Sequence, residues 1–295
     1  MKDQIDISII APACRPENWI NLYKSVVTNL SIEFVFVGPN IPKFELPSNF
    51  NFIHSKVKPA QCCEIAARNA KGKFVIIFAD DLWFETKFAL DKLVEIWNSH
   101  KNEFLIVSCL YSNNGIVQPE NIQKYNVNNL DSPPVPLAGL MLRKSWEALG
   151  GIDSRFIGVL YDLDLALRFT LSNGKVIFSD AVVVEKRELR GNSRLFQENW
   201  KNDRKYLDLC WGQNGEGVTK FFKRFYPITP FVESNILVKS QGPRGHWRGE
   251  GLIFLEFIQN LPSKFRRQIL LNLENQNKFS ILLFKLYRYF KTFLA

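Results

Sequence analysis

Lys73-Phe74-Val75-Ile76-Ile77-Phe78-Ala79-Asp80-Asp81-Leu82 is an apolar run that ends abruptly in two adjacent acids. Phe74–Ala79 is too short for a helix that could stand alone, and continuous apolar character over such a length reads as a strand buried on both faces. The sequence on either side repeats the theme. Upstream, Ile5–Ala11 is β-branched and alternating until Pro12 breaks it, and Pro16–Asn29 carries Trp19, Leu22, Tyr23, Val26 and Val27 at helical spacing. Glu33–Val37 is a short apolar strand stopped by Gly38-Pro39, and Pro59–Ala70 reads as a helix. Downstream, Thr86–Ser99 is a helix with Phe88, Leu93, Ile96 and Trp97 directed inward, and Phe104–Leu110 is another strand. Strand and helix in this rhythm predict an α/β fold: a largely parallel sheet with crossover helices. In such sheets ligands bind outside the carboxyl ends of the strands, which is where Asp80 and Asp81 fall.

The second half is less regular. Tyr111–Pro136 is rich in Asn, Pro, Gly and Ser and reads as a long loop. A strand over Pro136–Arg143, a short helix near Lys144–Leu149 and a helix over Asp162–Ser172 follow, the last ended by Asn173-Gly174. Val176–Phe178 and Ala181–Val184 are short strands. Beyond residue 185 the chain turns to longer, basic, aromatic helical segments.

Composition narrows the function classes. The chain has 295 residues, 46% hydrophobic and 23% charged, which excludes a disordered or fibrous protein. The polar start Met1–Asp6 does not read as a signal peptide, and no apolar run approaches a membrane span. Five cysteines, with Cys62 and Cys63 adjacent, fit reduced thiols, so the expected compartment is cytoplasmic. The net charge of +9 is unevenly placed: residues 185–295 carry 20 Lys/Arg against 10 Asp/Glu, whereas the rest is balanced. That asymmetry points to an anionic partner or to a solvated basic surface. Pro262–Ala295 holds seven Lys/Arg and one Glu beside an apolar stripe of Leu282, Leu286, Phe290, Phe293 and Leu294. Such a segment can lie on an anionic membrane surface, or pack on the preceding domain with its basic face in water. No nucleic-acid motif is present, and nucleic acid is not an expected partner.

Three clusters can carry chemistry. Asp80-Asp81 either repel each other until a cation such as Mn²⁺ or Mg²⁺ neutralises them, or cap a helix that begins at Trp83. In Tyr161-Asp162-Leu163-Asp164, one acid can cap a helix while the other faces a cleft, and local charge pairing with Arg168 is the plainer reading. Gly139 permits close approach of a bulky ligand or accommodates packing. His54, His100 and His246 match no metal-ligand spacing, and no P-loop, Gly-x-Ser-x-Gly or Gly-x-Gly-x-x-Gly occurs.

Taken in order, Ile7-Ser8-Ile9-Ile10-Ala11-Pro12, Arg15-Pro16-Glu17, Glu33–Gly38, Ala67-Arg68-Asn69-Ala70-Lys71-Gly72-Lys73-Phe74, the Asp80-Asp81 pair, Gly139, Trp146–Asp153 and Tyr161–Asp164 resemble family-2-type glycosyltransferases of the GT-A fold. The resemblance covers roughly residues 5–210. It implies a GT-A, Rossmann-like, mostly parallel sheet flanked by helices over residues 1–215; residues 216–295 read from their charge and pattern as a basic helical extension. It implies transfer of a sugar from a nucleotide-sugar donor to a hydroxyl on a glycan or lipid-linked glycan, metal-assisted and inverting. Residue by residue, Pro12, Ala13, Cys14 and Arg15 look like the loop that holds base and ribose, and Arg68 like the basic residue near the donor. Asp80 and Asp81 look like the metal motif, with Glu185 standing where some relatives place a metal-binding histidine. Gly139 and Asp153 fall where the sugar and acceptor pocket is lined, and Asp162 looks like the general base. Where the family has an acidic pair after its second strand, this chain has Gly38-Pro39-Asn40, and where it has the Glu of its Glu-Asp motif, this chain has Tyr161. A non-catalytic module that keeps the fold to hold a glycan or a protein is the alternative reading.

Overall fold

Alternate residues of three strands point to opposite faces of one sheet, as the two-residue period of a strand requires. Ile7, Ile9 and Ala11, Phe34 and Phe36, and Phe74 and Ile76 enter one buried cluster. Ile10, Val35 and Val37, and Val75 and Ile77 enter a second on the other side. Both faces are therefore covered, and the strands read as apolar throughout for that reason. The computed structural model describes residues 4–100, 102–113, 115–117, 135–136, 138–153, 156–171 and 173–185, together with 200, 203, 204 and 207.

The elements in chain order are β1 (Ile7–Pro12), α1 (Pro16–Ser25), β2 (Ile32–Gly38), β3 (Phe50–His54), α2 (Pro59–Asn69), β4 (Phe74–Ile77), β5 (Leu82–Phe84), α3 (Ala89–His100), β6 (Leu105–Asn113), β7 (Ile116–Val117), β8 (Gly139–Leu142), α4 (Arg143–Ala148), α5 (Tyr161–Leu171) and β9 (Lys175–Glu185). The sheet order is β3-β2-β1-β4-β8-β6-β9-β5, with β7 pairing β6. Strands β3, β2, β1 and β4 are mutually parallel, and β6 pairs parallel with β9. The antiparallel β8 is inserted between β4 and β6 and carries the same direction through to β6 and β9. The expected α/β architecture, a mostly parallel sheet flanked by helices, is what the chain adopts.

Helices α1 and α3 cover one face through Trp19, Leu22, Leu90 and Leu93; Trp19 stacks on Phe50 at 5.7 Å and meets Phe36 edge-on at 5.5 Å. Helices α2 and α5 cover the other through Ala60, Ile65, Leu163 and Leu167. Trp200 and Leu207 pack against this second face.

Several expectations need correction. Leu82–Phe84 forms β5, paired with β9, so the acids before it cap no helix. Phe88, expected inward, is 42% exposed and sits at φ 56° ahead of α3, outside the helical spacing that suggested its burial. The first residues of the expected 111–136 loop extend β6 to Asn113 and turn into β7. The two short strands after α5 are one, β9, kinked at the irregularity opposite Ser108 to Leu110. The basic extension 216–295, the 262–295 stripe and the domain division lie outside the described residues.

Candidate functional site

The chain runs from β1 out to β2 and β3 on one side, then returns to β4 on the other. The carboxyl ends of β1 and β4 therefore flank the point where strand order reverses. This is the position at which open α/β sheets leave a crevice for ligand. Cys14 and Arg15 follow β1, and Asp80 and Asp81 follow β4.

The two loops are locked together through Asp80. Its Oδ2 accepts the backbone N–H groups of Cys14 and Arg15, each at 2.6 Å. Its Oδ1 accepts Nε and Nη2 of the Arg15 guanidinium at 2.9 and 2.6 Å. A third guanidinium nitrogen, Nη1, reaches Asp81 Oδ2 at 2.7 Å. Asp80 is 1% exposed, Asp81 13% and Arg15 20%, so the trio opens outward through its arginine. The register Leu82↔Glu185 brings Glu185 alongside, where it accepts the Tyr111 hydroxyl.

Burial pushes the Asp81 carboxyl up to about 6, against the Arg15 charge that lowers it and with Asp80 and Glu185 raising it further. The folded chain therefore holds a proton there, between about pH 4 and 6, that the unfolded chain has released. Stability from this group is present at low pH and is lost as pH rises through 6. Asp81→Asn, which keeps the neutral shape, should stabilise the fold at pH 7.5 by about 1–3 kcal/mol and by much less at pH 4.5. Urea denaturation at the two pH values checks this. A variant less stable than wild type at pH 7.5 would mean that the ion pair outweighs the cost of burial.

Asp80, as it is held here, leaves no oxygen site for the divalent cation that the resemblance implies. A carboxylate offers about four lone-pair sites, and those of Asp80 all receive N–H groups, two of them backbone. Among the described residues no group of three or more His, Cys, Asp or Glu is placed to hold a metal ion.

The candidate base, Asp162, lies near α2. The Cys14 thiol is near enough to Cys62 to raise it, and burial keeps all these thiols protonated, Cys14 at about 11 and Cys62 at about 12. Next along α2, Cys63 lies beside Tyr161 and feels the charge of Asp162. Asp162, in the first turn of α5, is partly open to solvent and accepts the Leu163 amide at 2.9 Å. Burial of its carboxyl raises its pKa, and no cation pairs with it among the described residues. Asp164, by contrast, is fully buried on Arg168 at 2.8 Å, which separates the two acids into a structural one and an open one.

The remaining expected residues divide similarly. Arg68 pairs with buried Glu64 at 2.6 Å, and Glu64 also accepts the Ile152 amide at 2.8 Å and the Trp146 indole at 3.3 Å. Glu64 thus fastens α2 to the turn after α4, and Arg68 offsets its buried charge from within the same helix. A Cβ on Gly139 would lie 2.8 Å from Ile106 and 2.9 Å from Pro136, so its small size serves packing in β8. Asp153 follows that turn, and its carbonyl accepts the Phe156 amide.

Asp203 carried no sequence signal. It accepts the amides of Ile157, Gly158 and Val159 at 2.8–2.9 Å, fixing the loop that leads into α5 through Leu160 at φ 62°. A lone Asp in a basic segment announces no such role.

No protein-family model matches the chain, and no curated protein matches it. Solved structures similar to it include S. aureus TarS 1-349 in complex with UDP-GlcNAc, at 14% identity and TM-score 0.47 over 97% of this chain and 92% of that one. TarS 1-349 in complex with UDP matches at 13% and 0.43 over 66% and 63%. S. aureus TarS matches at 13% and 0.49 over 92% and 53%, so this chain spans about half of that protein's length. At these values the chemistry rests on the site itself. No helix among the described residues is long and apolar enough to cross a membrane.

Proposed function

We propose that the protein transfers a glycosyl group from a nucleotide-diphosphate sugar to an acceptor hydroxyl with inversion. The supporting observation is the meeting of the β1 and β4 loops, Cys14–Arg15 with Asp80–Asp81, at the reversal point of strand order, with Asp162 near Cys63 of α2. The first part suits a nucleotide with its diphosphate, and the second suits a group that takes a proton.

In the proposed reaction the acceptor oxygen attacks the anomeric carbon as its proton passes to Asp162. The bond from that carbon to the diphosphate breaks, and the nucleoside diphosphate leaves with the electron pair. A carboxyl raised by burial suits the task, because a base nearer neutrality takes a proton more readily than an ordinary aspartate. Tyr161 lies against Cys63, which places the start of α5 beside α2.

The lipid-linked form of the acceptor is supported by the basic residues and the apolar stripe of residues 262–295, which suit an anionic membrane surface. The test uses the full chain with UDP-, GDP-, ADP- and TDP-sugars, with glycan acceptors free and presented on anionic liposomes. Release of nucleoside diphosphate that depends on acceptor is expected with one donor. Donor binding without release, in every combination, would instead make the protein a binding module.

A further inference from the structure

We propose that Arg15 occupies the Asp80–Asp81 dyad as a built-in cation in place of a divalent metal, and that its outward N–H groups contact the diphosphate of the nucleotide ligand. The second half rests on the proposed function; the first does not.

Two oxygens of Asp80 are bound by four N–H groups, and two of these belong to the backbone of residues 14 and 15. A side chain can swing away when a metal arrives, but those amides cannot leave without unmaking the loop after β1. The guanidinium is then held by three bonds to two different carboxylates. It has five N–H groups, which leaves two without a partner among the described residues. Their carrier is the most open member of the trio, at 20% exposure against 1% and 13%.

A fork held at two corners presents its remaining donors in one plane, the geometry that suits paired phosphate oxygens. One guanidinium between two carboxylates leaves the trio at a net charge of −1. What Arg15 supplies is therefore direction rather than an excess of positive charge. A metal-bound dyad would be neutral and would attract diphosphate more strongly, so affinity here should be modest but indifferent to metal.

The first measurement uses Mn²⁺ alone and follows its electron paramagnetic resonance signal in the presence of the full-length protein. Wild type should leave the free-ion signal unchanged, whereas Arg15→Ala, which frees the side-chain acceptor sites of the dyad, should take up Mn²⁺. One-to-one uptake by wild type would overturn the proposal. The second is calorimetric titration with UDP, GDP and ADP, in EDTA and in Mn²⁺. The nucleotide that binds should do so with affinities within about twofold in the two conditions, and Arg15→Ala should weaken it about tenfold or more in EDTA.

Should Arg15→Ala fail to fold, Arg15→Lys decides, because it keeps the charge and loses the fork. Unchanged nucleotide affinity in EDTA for that variant would overturn the contact. If Mn²⁺ behaves as expected but none of the nucleotides binds, the built-in cation stands, while the diphosphate contact and the donor reading fall together.

Discussion

Asp162→Asn should slow transfer about a thousandfold while leaving donor affinity within about twofold of wild type. The proposed nucleotide end of the crevice is built from the loops after β1 and β4, whereas Asp162 lies in the first turn of α5 near Cys63 of α2. Asn keeps the size of the side chain and its ability to accept the Leu163 amide, so the first turn of α5 should persist. What it loses is the capacity to accept a proton, and general bases contribute about 10²–10⁴-fold in rate. A fall of about 10³ in kcat with little change in KM for donor is the expected signature. The pH profile gives a second readout. Transfer needs the ionised carboxylate, so kcat/KM should fall as pH drops through the pKa of Asp162, which burial places above the usual aspartate range. An acid limb at ordinary aspartate pH, or equal loss of donor affinity and rate in the variant, would remove Asp162 from the role of base.

The parts of this site that sequence reveals are those whose residue types are unusual where they stand. Two acids directly after an apolar run mark a strand end, because charge cannot continue into a strand buried on both faces. The same run, with its neighbours, sets the order of β1, β2 and β4. What sequence hides is partnership. Asp80-Asp81 looks like an anion pair awaiting a cation, and nothing local says that Arg15, sixty-five residues earlier, already reaches both. Asp162 and Asp164 are near-identical on paper, yet Arg168 pairs with only one of them. Short strands escape for another reason. Phe50–His54 and Leu82–Phe84 are too brief to show a period, and their pairing partners β2 and β9 create them. Asp203 is invisible because its three partners are backbone amides, which every sequence has.

Gly38→Ala should cost about 4 kcal/mol or more and disable nucleotide binding, a larger stability loss than any polar substitution at the site is expected to give. Gly38 closes β2, and the chain after β1 crosses it directly: the Ala13 amide donates to the Val37 carbonyl at 2.8 Å, and the Ser55 amide to the Gly38 carbonyl at 2.9 Å. A Cβ on residue 38 would overlap the Ala13 carbonyl oxygen and its carbon, both backbone atoms that no rotamer change can move. Relief requires the 12–15 loop to lift from the sheet. That loop carries the two amides and the guanidinium that hold Asp80, so strain at Gly38 reaches the dyad within a few residues. The same contact explains why a residue without a Cβ stands at position 38. Here the loop after β1 lies over the end of β2, and Asn40 donates its side-chain amide to the Cys14 carbonyl at 2.6 Å to pin it there. Thermal denaturation of Gly38→Ala should show a midpoint lowered by about 10 °C or more. Asn40→Ala, which removes one exposed hydrogen bond and no space, should cost about 1 kcal/mol and weaken nucleotide binding only slightly. A Gly38→Ala protein with wild-type stability would mean that the loop after β1 sits higher than described, and the packing argument for the site would go with it.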